Sequence, residues 1–447
     1  MRILSWIGGV IAALVLVGLI ALNVSPIGRI YLPTATGITA KQVCSLHFVS
    51  GLTPDRARAL YIDPLLGGAA GLVSANVDTQ DNSVHSRVLG LWHQEAVYRE
   101  GLGCTLVHGS GEFDPDARLA PLAVTPMVLD ATHRDAHFDP AALNAALDAA
   151  MTQDGRNTLG VVVLHQGRLI AERYAEGVDE TTPLHGWSMT KSLAATMAGV
   201  LTQRGLIDVT AEGQVPALVA AGRREITVDH LLRMTAGLAG YELNNGMDPN
   251  SDMLFTESDM ATFAATREQI AAPGGVWDYQ SGNTVLAGSA LEEFLGDTPQ
   301  EEIARIREWL FEPLGMAHSI LESDEAGTLQ WSSYMYASAR DWARLGQLYL
   351  DGGRAPDGTR LIPEDWIDYV TEPTPGSSGD YGSGYWMYEV GLPDDNFMMN
   401  GFQGQLTYII PSEELVIVRL GATNFRHDGS PEFARAVVAA RLEPTEN

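Results

Sequence analysis

Lysine is nearly missing from this chain. Of its 447 residues only Lys41 and Lys191 carry an ε-amine, so 26 of its 28 basic residues are arginines. Basic charge is scarce as a whole, because 56 Asp and Glu residues leave a net charge of −28. That deficit excludes a general nucleic-acid binder, which needs clustered Lys and Arg against phosphates. Cysteine is equally rare, and Cys44 and Cys104 stand in no CxxC or other zinc-ligand spacing. The Asn- and Asp-bearing stretch 244–252 lacks the EF-hand order and reads as loop chemistry, not calcium ligation. No internal repeat or low-complexity tract is present. At 45% hydrophobic and 19% charged the chain is globular, with the length of one domain plus additions or of two domains.

One long apolar run is present. Ile3–Val24 carries no charge over 22 residues, and at about 1.5 Å per residue it can cross a hydrocarbon core of roughly 30 Å. Leu19-Ile20-Ala21-Leu22-Asn23 makes a poor cleavage site. The expectation is an uncleaved transmembrane anchor over 1–25 with the body outside the cytoplasm, in the bacterial periplasm; a cleaved signal, leaving a secreted protein, is the alternative. In that oxidising compartment Cys44 and Cys104 can pair as a disulfide closing 59 intervening residues. Two free structural cysteines are the other reading.

Residues 26–138 read as an appendage of unknown role, with a strand pair at Ser83–Leu91 and Glu95–Arg99. From about 139 onward the pattern firms. A helix opens at Pro140, and Thr158–Leu164 and Arg168–Tyr174 flank a His165-Gln166-Gly167 turn, a hairpin signature. Leu406–Ile410 and Leu415–Leu420 repeat the form before a final helix from Pro431. Helical patterns at 188–203, 227–234, 257–266, 283–295, 299–310, 338–351 and 363–371 lie between. Strands at both ends and helices in the middle predict an α+β fold for 139–447, an antiparallel sheet flanked by helices with a helical insertion.

The chemistry centres on His185-Gly186-Trp187-Ser188-Met189-Thr190-Lys191. Leu193, Met197, Val200 and Leu201 set a helix period directly afterwards, so Ser188 sits at a helix N-terminus, where free amides and the dipole favour a developing oxyanion. Lys191, three residues on, shares that face. A serine needs a base, and a lysine serves only when its pKa is depressed; arginine cannot serve. An N-cap serine beside a surface lysine is the bland alternative, though a basic first turn opposes the dipole. Tyr279, in the Pro273–Asn283 loop ahead of a helix, supplies a phenol able to shuttle protons, with Ser281 two residues on. In Asn400-Gly401-Phe402-Gln403-Gly404-Gln405 the glycines permit close backbone approach, and the Gln405 amide can join that of Ser188 in an oxyanion hole. Alone, each is an ordinary packed Tyr and an ordinary strand-entry turn. His185 lies before the helix and would point away from the hydroxyl, so no Ser–His pair is expected; nor do Asp278 and Asp341 form a carboxylate pair.

Together and in this order, these motifs resemble the penicillin-binding-protein and class C β-lactamase-like serine hydrolases. Ser188-x-x-Lys191 matches their Ser-x-x-Lys, Tyr279-x-Ser281 their Tyr-x-Asn or Tyr-x-Ser, and Gly401–Gln405 falls where Lys/His-x-Gly is expected. Leu231–Leu238 and Ala337–Gly346 resemble further family segments, and the likeness spans about 139–445. Tyr-x-Ser-Gly and the acidic loop Tyr241–Phe255 look most like the 6-aminohexanoate-dimer hydrolase and esterase branch. Phe402 replaces the cation that grips a carboxylate, and Ser281 the Asn that contacts an acylamide. The resemblance thus implies hydrolysis of a small ester or linear amide through an acyl-enzyme on Ser188, with Lys191 and Tyr279 as base and acid. Ser281, Phe402, Gly404 and Gln405 would face the substrate, and no metal or organic cofactor is implied. The rival readings are a β-lactamase or D-alanyl-D-alanine carboxypeptidase and, from another class, a non-catalytic envelope binding protein. Oligomeric state is not legible.

Overall fold

A computed structural model describes residues 17–18, 20–109, 114–152, 155–424 and 428–442. Most of the expected anchor lies outside these residues. Among the described residues no helix is long and apolar enough to cross a membrane, so the anchor gains no support from the fold.

Helix α1 (Leu32–Cys44) continues directly from a π-helical turn, Ile27–Tyr31, with Pro33 just past the junction. It lies across a four-stranded antiparallel meander of β1 (Val73–Asp78), β2 (Ser83–Val88), β3 (Trp92–Arg99) and β4 (Gly103–Val107). The expected strand pair is β2 with β3, Val84 opposite Ala96 and Val88 opposite Trp92. Cys44, at the end of α1, is bonded to Cys104 of β4. This segment packs against the rest through one continuous apolar core, which joins Val43, Leu46 and Leu106 to Leu254, Tyr334 and Tyr336. Gly37 permits the closest approach, since a Cβ there would stand 2.0 Å from the Phe255 carbonyl oxygen. Below it Lys41 is fully buried and ion-paired with Glu322, its ammonium 4.0 Å from the Tyr334 ring centre. Glu322 also accepts from Ser45 Oγ at 2.8 Å and from the Cys104 N–H at 2.7 Å. Those extra donors offset the heavy desolvation of a buried pair.

Two helices, α2 (Ala131–His137) and α3 (Pro140–Thr152), lead into the hairpin β5 (Thr158–His165) and β6 (Arg168–Tyr174). After the short β7 (Leu184–His185) the chain is mainly helical, including α4 (Thr190–Gln203) and α5 (Ser281–Glu292), until β8 (Ser319–Leu321) and β9 (Met335–Ala337). Helix α6 (Ala339–Leu350) follows, then β10 (Trp386–Met387), β11 (Phe397–Gly401), β12 (Gln405–Ile410), β13 (Leu415–Gly421) and α7 (Ser430–Ala439). The main sheet is antiparallel in the order β10-β11-β12-β13-β5-β6, so the first and last hairpins meet with Val163 opposite Ile417. Every residue of β5 is buried because both faces are covered. Val161, Val163 and Ile417 meet α3 and α7 through Leu143, Leu147 and Phe433. Val162, Leu164 and Val416 turn the other way, into the core that holds Leu345 and Leu348 of α6. The period-2 alternation of one strand thus divides two apolar layers. Helix α4 runs through the middle, buried along its length from Thr190 to Leu201. The architecture is the expected α+β sheet flanked by helices.

Candidate active site

Ser188 lies in a single 3-10 turn, Trp187–Met189, which feeds into α4. Trp187 is held at φ +48°, a left-handed conformation that costs a non-glycine residue of order 1–3 kcal/mol. Its surroundings fix it there. Trp187 Nε1 donates to Gln403 Oε1 at 3.0 Å, its ring meets Phe402 edge-on, and its carbonyl accepts from Thr190 Oγ1 at 2.7 Å. The turn presents Ser188 partly to solvent while Lys191, one near-turn later, is buried beneath it.

Lys191 Nζ stands 2.9 Å from Ser188 Oγ, 2.9 Å from Ser281 Oγ and 3.2 Å from the Ser332 carbonyl oxygen. Burial lowers its pKa from the ordinary lysine value, and the Glu242 carboxylate partly opposes that shift. Tyr279 reaches the same place from the loop ahead of α5. Its ring centre is 4.9 Å from Lys191 Nζ, and the Ser188 and Trp386 side chains act on its hydroxyl. Burial and then the Glu242 charge raise its pKa, so the phenol carries its proton at neutral pH. Tyr381 and Trp386 pack on the ring at centroid distances of 5.7 and 5.1 Å and fix its direction.

Gln405 begins β12 opposite Gly401. Its side chain is turned away, with Nε2 donating to the Gly421 carbonyl and Oε1 accepting from the Gly421 N–H at 3.0 Å, so only its main chain is left for the site. The β11–β12 turn runs against the nucleophile turn: a Cβ on Gly401 would stand 2.2 Å from the Gly186 carbonyl oxygen. Gly404 takes φ +79° in that turn. Phe402 and Trp187 line an apolar cleft together with Tyr31, Ile38, Leu65 and Phe255. Of these, Tyr31, Ile38 and Leu65 come from the N-terminal segment or its helix.

Other sequence expectations sort cleanly. His185 is buried, stacked on Tyr336 at 4.5 Å, with Nε2 on the Ser333 carbonyl at 2.7 Å; burial holds its pKa well below the usual value. It is a packing residue. Asp341 is engaged by the His318 N–H at 2.7 Å and by Arg344 at 2.9 Å, with no link to Asp278. The residue that sequence reading missed is Glu242. It accepts from both the hydroxyl and the N–H of Ser281, the latter at 3.0 Å, and lies 4.0 Å from Lys191 Nζ. Its one signal was membership of the acidic loop Tyr241–Phe255.

The geometry is that of a serine whose hydroxyl meets a buried amine, with a phenol ring beside that amine. The beta-lactamase family model matches residues 143–441. The chain belongs to the beta-lactamase family. The matched stretch agrees with the resemblance read over 139–445. It is 26% identical over 266 residues to penicillin-binding protein 4 of Amycolatopsis lactamdurans, covering 52% of this chain and 65% of that protein, somewhat under two thirds of its length. It is 25% identical over 291 residues to 6-aminohexanoate-dimer hydrolase of Paenarthrobacter ureafaciens, covering 58% and 71%. Among solved structures a family VIII carboxylesterase superposes with a TM-score of 0.56 at 18% identity, over 71% of this chain and 99% of that one, a likeness of fold.

Proposed function

We propose that this beta-lactamase-family hydrolase cleaves a small, uncharged ester or linear amide through an acyl-enzyme on Ser188. The observation that carries the proposal is the 2.9 Å contact between Lys191 Nζ and Ser188 Oγ, with the Tyr279 ring centre 4.9 Å from the same amine. In its neutral form Lys191 takes the Ser188 proton as Oγ attacks the carbonyl carbon. The Ser188 and Gln405 N–H groups receive the oxyanion. Tyr279 gives its proton to the departing alkoxide or amine and recovers one from the Lys191 ammonium. Water then enters, yields a proton along the same route, attacks the acyl carbon and releases Ser188.

Substrate class follows from the walls. Phe402 and Trp187 are aromatic where a carboxylate-gripping cation would stand, and Glu242 places negative charge beside the amine. An anionic acyl group is therefore disfavoured, which argues against the β-lactamase or D-alanyl-D-alanine carboxypeptidase alternative. The Cys44–Cys104 bond supports a place outside the cytoplasm.

A panel of short p-nitrophenyl esters, linear amides and nitrocefin tests this reading. Faster turnover of nitrocefin, or stable acylation of Ser188 by penicillin, would favour the rival enzyme. Failure of a fluorophosphonate to label Ser188, under conditions that label an active serine hydrolase, would favour a non-catalytic binding protein.

A further inference from the structure

Away from the Ser188 site three imidazoles converge. His133 and His137 stand one turn apart on α2, and His165 closes β5 at the hairpin turn. One ring nitrogen from each lies within 4.8 Å of the other two. His133 Nε2 and His165 Nδ1 face each other at 2.9 Å, and His137 Nδ1 is 2.8 Å from the His133 carbonyl oxygen. Such a bond holds the His137 proton on Nδ1 and leaves its Nε2 lone pair free, the arrangement by which metal-binding histidines are oriented.

From this juxtaposition we infer that His133, His137 and His165 form a binding site for a divalent transition metal, zinc being the best match. Neutral imidazoles suit zinc, nickel, cobalt and copper, and three of them leave a fourth position for water. A tetrahedral ion with bonds of about 2.0–2.1 Å needs its nitrogens roughly 3.4 Å apart, so the rings need swing only about an ångström.

Two further observations favour a metal over simple ring packing. His165 is buried and its Nε2 has no hydrogen-bond partner, so no group outside the cluster fixes its tautomer. The neighbouring cations each have an acidic partner: Arg168 pairs with Asp130 at 2.7 Å and Arg441 with Glu413.

The scaffold is held from two sides. The Asp130 N–H donates to the Leu169 carbonyl at 2.8 Å and the Leu442 N–H to the His137 carbonyl at 2.8 Å. A metal there would clamp the helix before the hydrolase domain to the end of β5. No residue of the cluster is shared with the Ser188 site.

The test titrates zinc chloride into the chelator-stripped full chain carrying no polyhistidine tag, followed by calorimetry and thermal unfolding. Cobalt chloride is titrated in parallel and its visible bands recorded. The expected result is one equivalent per chain, a raised unfolding midpoint, tetrahedral cobalt bands and unchanged ester turnover. In His133→Ala/His137→Ala the affinity falls by roughly 100-fold or more. On the wild type, bound zinc shields His133 and His137 from diethylpyrocarbonate, which keeps the test decisive should the double variant fold poorly. Uptake below about one tenth of an equivalent, undiminished binding by a folded double variant, or unshielded imidazoles overturns the inference.

Discussion

Lys191 and Glu242 stand 4.0 Å apart with the Ser281 side chain between them. Ser281 accepts from the amine and donates to the carboxylate, so the base that faces Ser188 is tethered from behind. Burial depresses the amine's pKa and the carboxylate partly restores it.

Ser188→Ala and Lys191→Ala should each lower kcat/KM for an ester substrate by at least roughly 10³-fold, since the two act as one unit. Combining them should cost little more than either alone. Steady-state kinetics beside an unchanged unfolding midpoint checks this, and independent, additive losses would contradict a shared step.

The pH dependence has a definite sign. Activity needs the neutral amine, so it should rise with pH through the Lys191 pKa and fail below it, with a limb lower than an ordinary lysine gives. Glu242→Gln removes the charge that raises that pKa, and the limb should move to lower pH. A limb that stays in place would mean the carboxylate only positions Ser281.

Tyr279→Phe retains the ring against Trp386 and removes the proton carrier. Turnover should fall by about 10²–10⁴-fold, while fluorophosphonate still labels Ser188, because that reagent's leaving group needs less acid assistance. Comparing labelling rate with turnover separates the two.

Phe402→Arg tests the wall of the cleft. A cation there should raise kcat/KM for nitrocefin relative to a short p-nitrophenyl ester by about tenfold, the value of one charge-assisted contact. An unchanged ratio would place the acyl group elsewhere.

How much of this could be read from sequence follows from how each signal is encoded. The unbroken apolar run of β5 stated its burial on both faces, and the two hairpins announced themselves by their turns. Ser188 and Lys191 were legible because three positions on a helix fix a common face. Glu242 was not, since it meets Ser281 across 39 residues of loop whose path no local period sets. Lys41 finds Glu322 across 281 residues and was equally hidden. The contribution of Tyr31, Ile38 and Leu65 to the cleft depends on how the N-terminal segment docks, which no single stretch of sequence records.

Lys41 also yields a stability prediction. Lys41→Met alone strands the Glu322 carboxylate and should cost about 3–5 kcal/mol in urea unfolding. Lys41→Met with Glu322→Leu should recover much of that loss, because a buried pair exchanged for apolar side chains is often neutral. Losses that simply add would mean that the two groups stabilise the fold separately.

Burial of both lysines has a practical consequence for handling the protein. Neither ε-amine reaches the solvent in the folded chain, each less than about one fiftieth exposed. N-hydroxysuccinimide dyes and aldehyde fixatives, which seek amines, will thus find no side chain to attack until the interior opens. Attachment to a surface is better made through the plentiful carboxylates, and dye uptake at a lysine becomes a clock for unfolding.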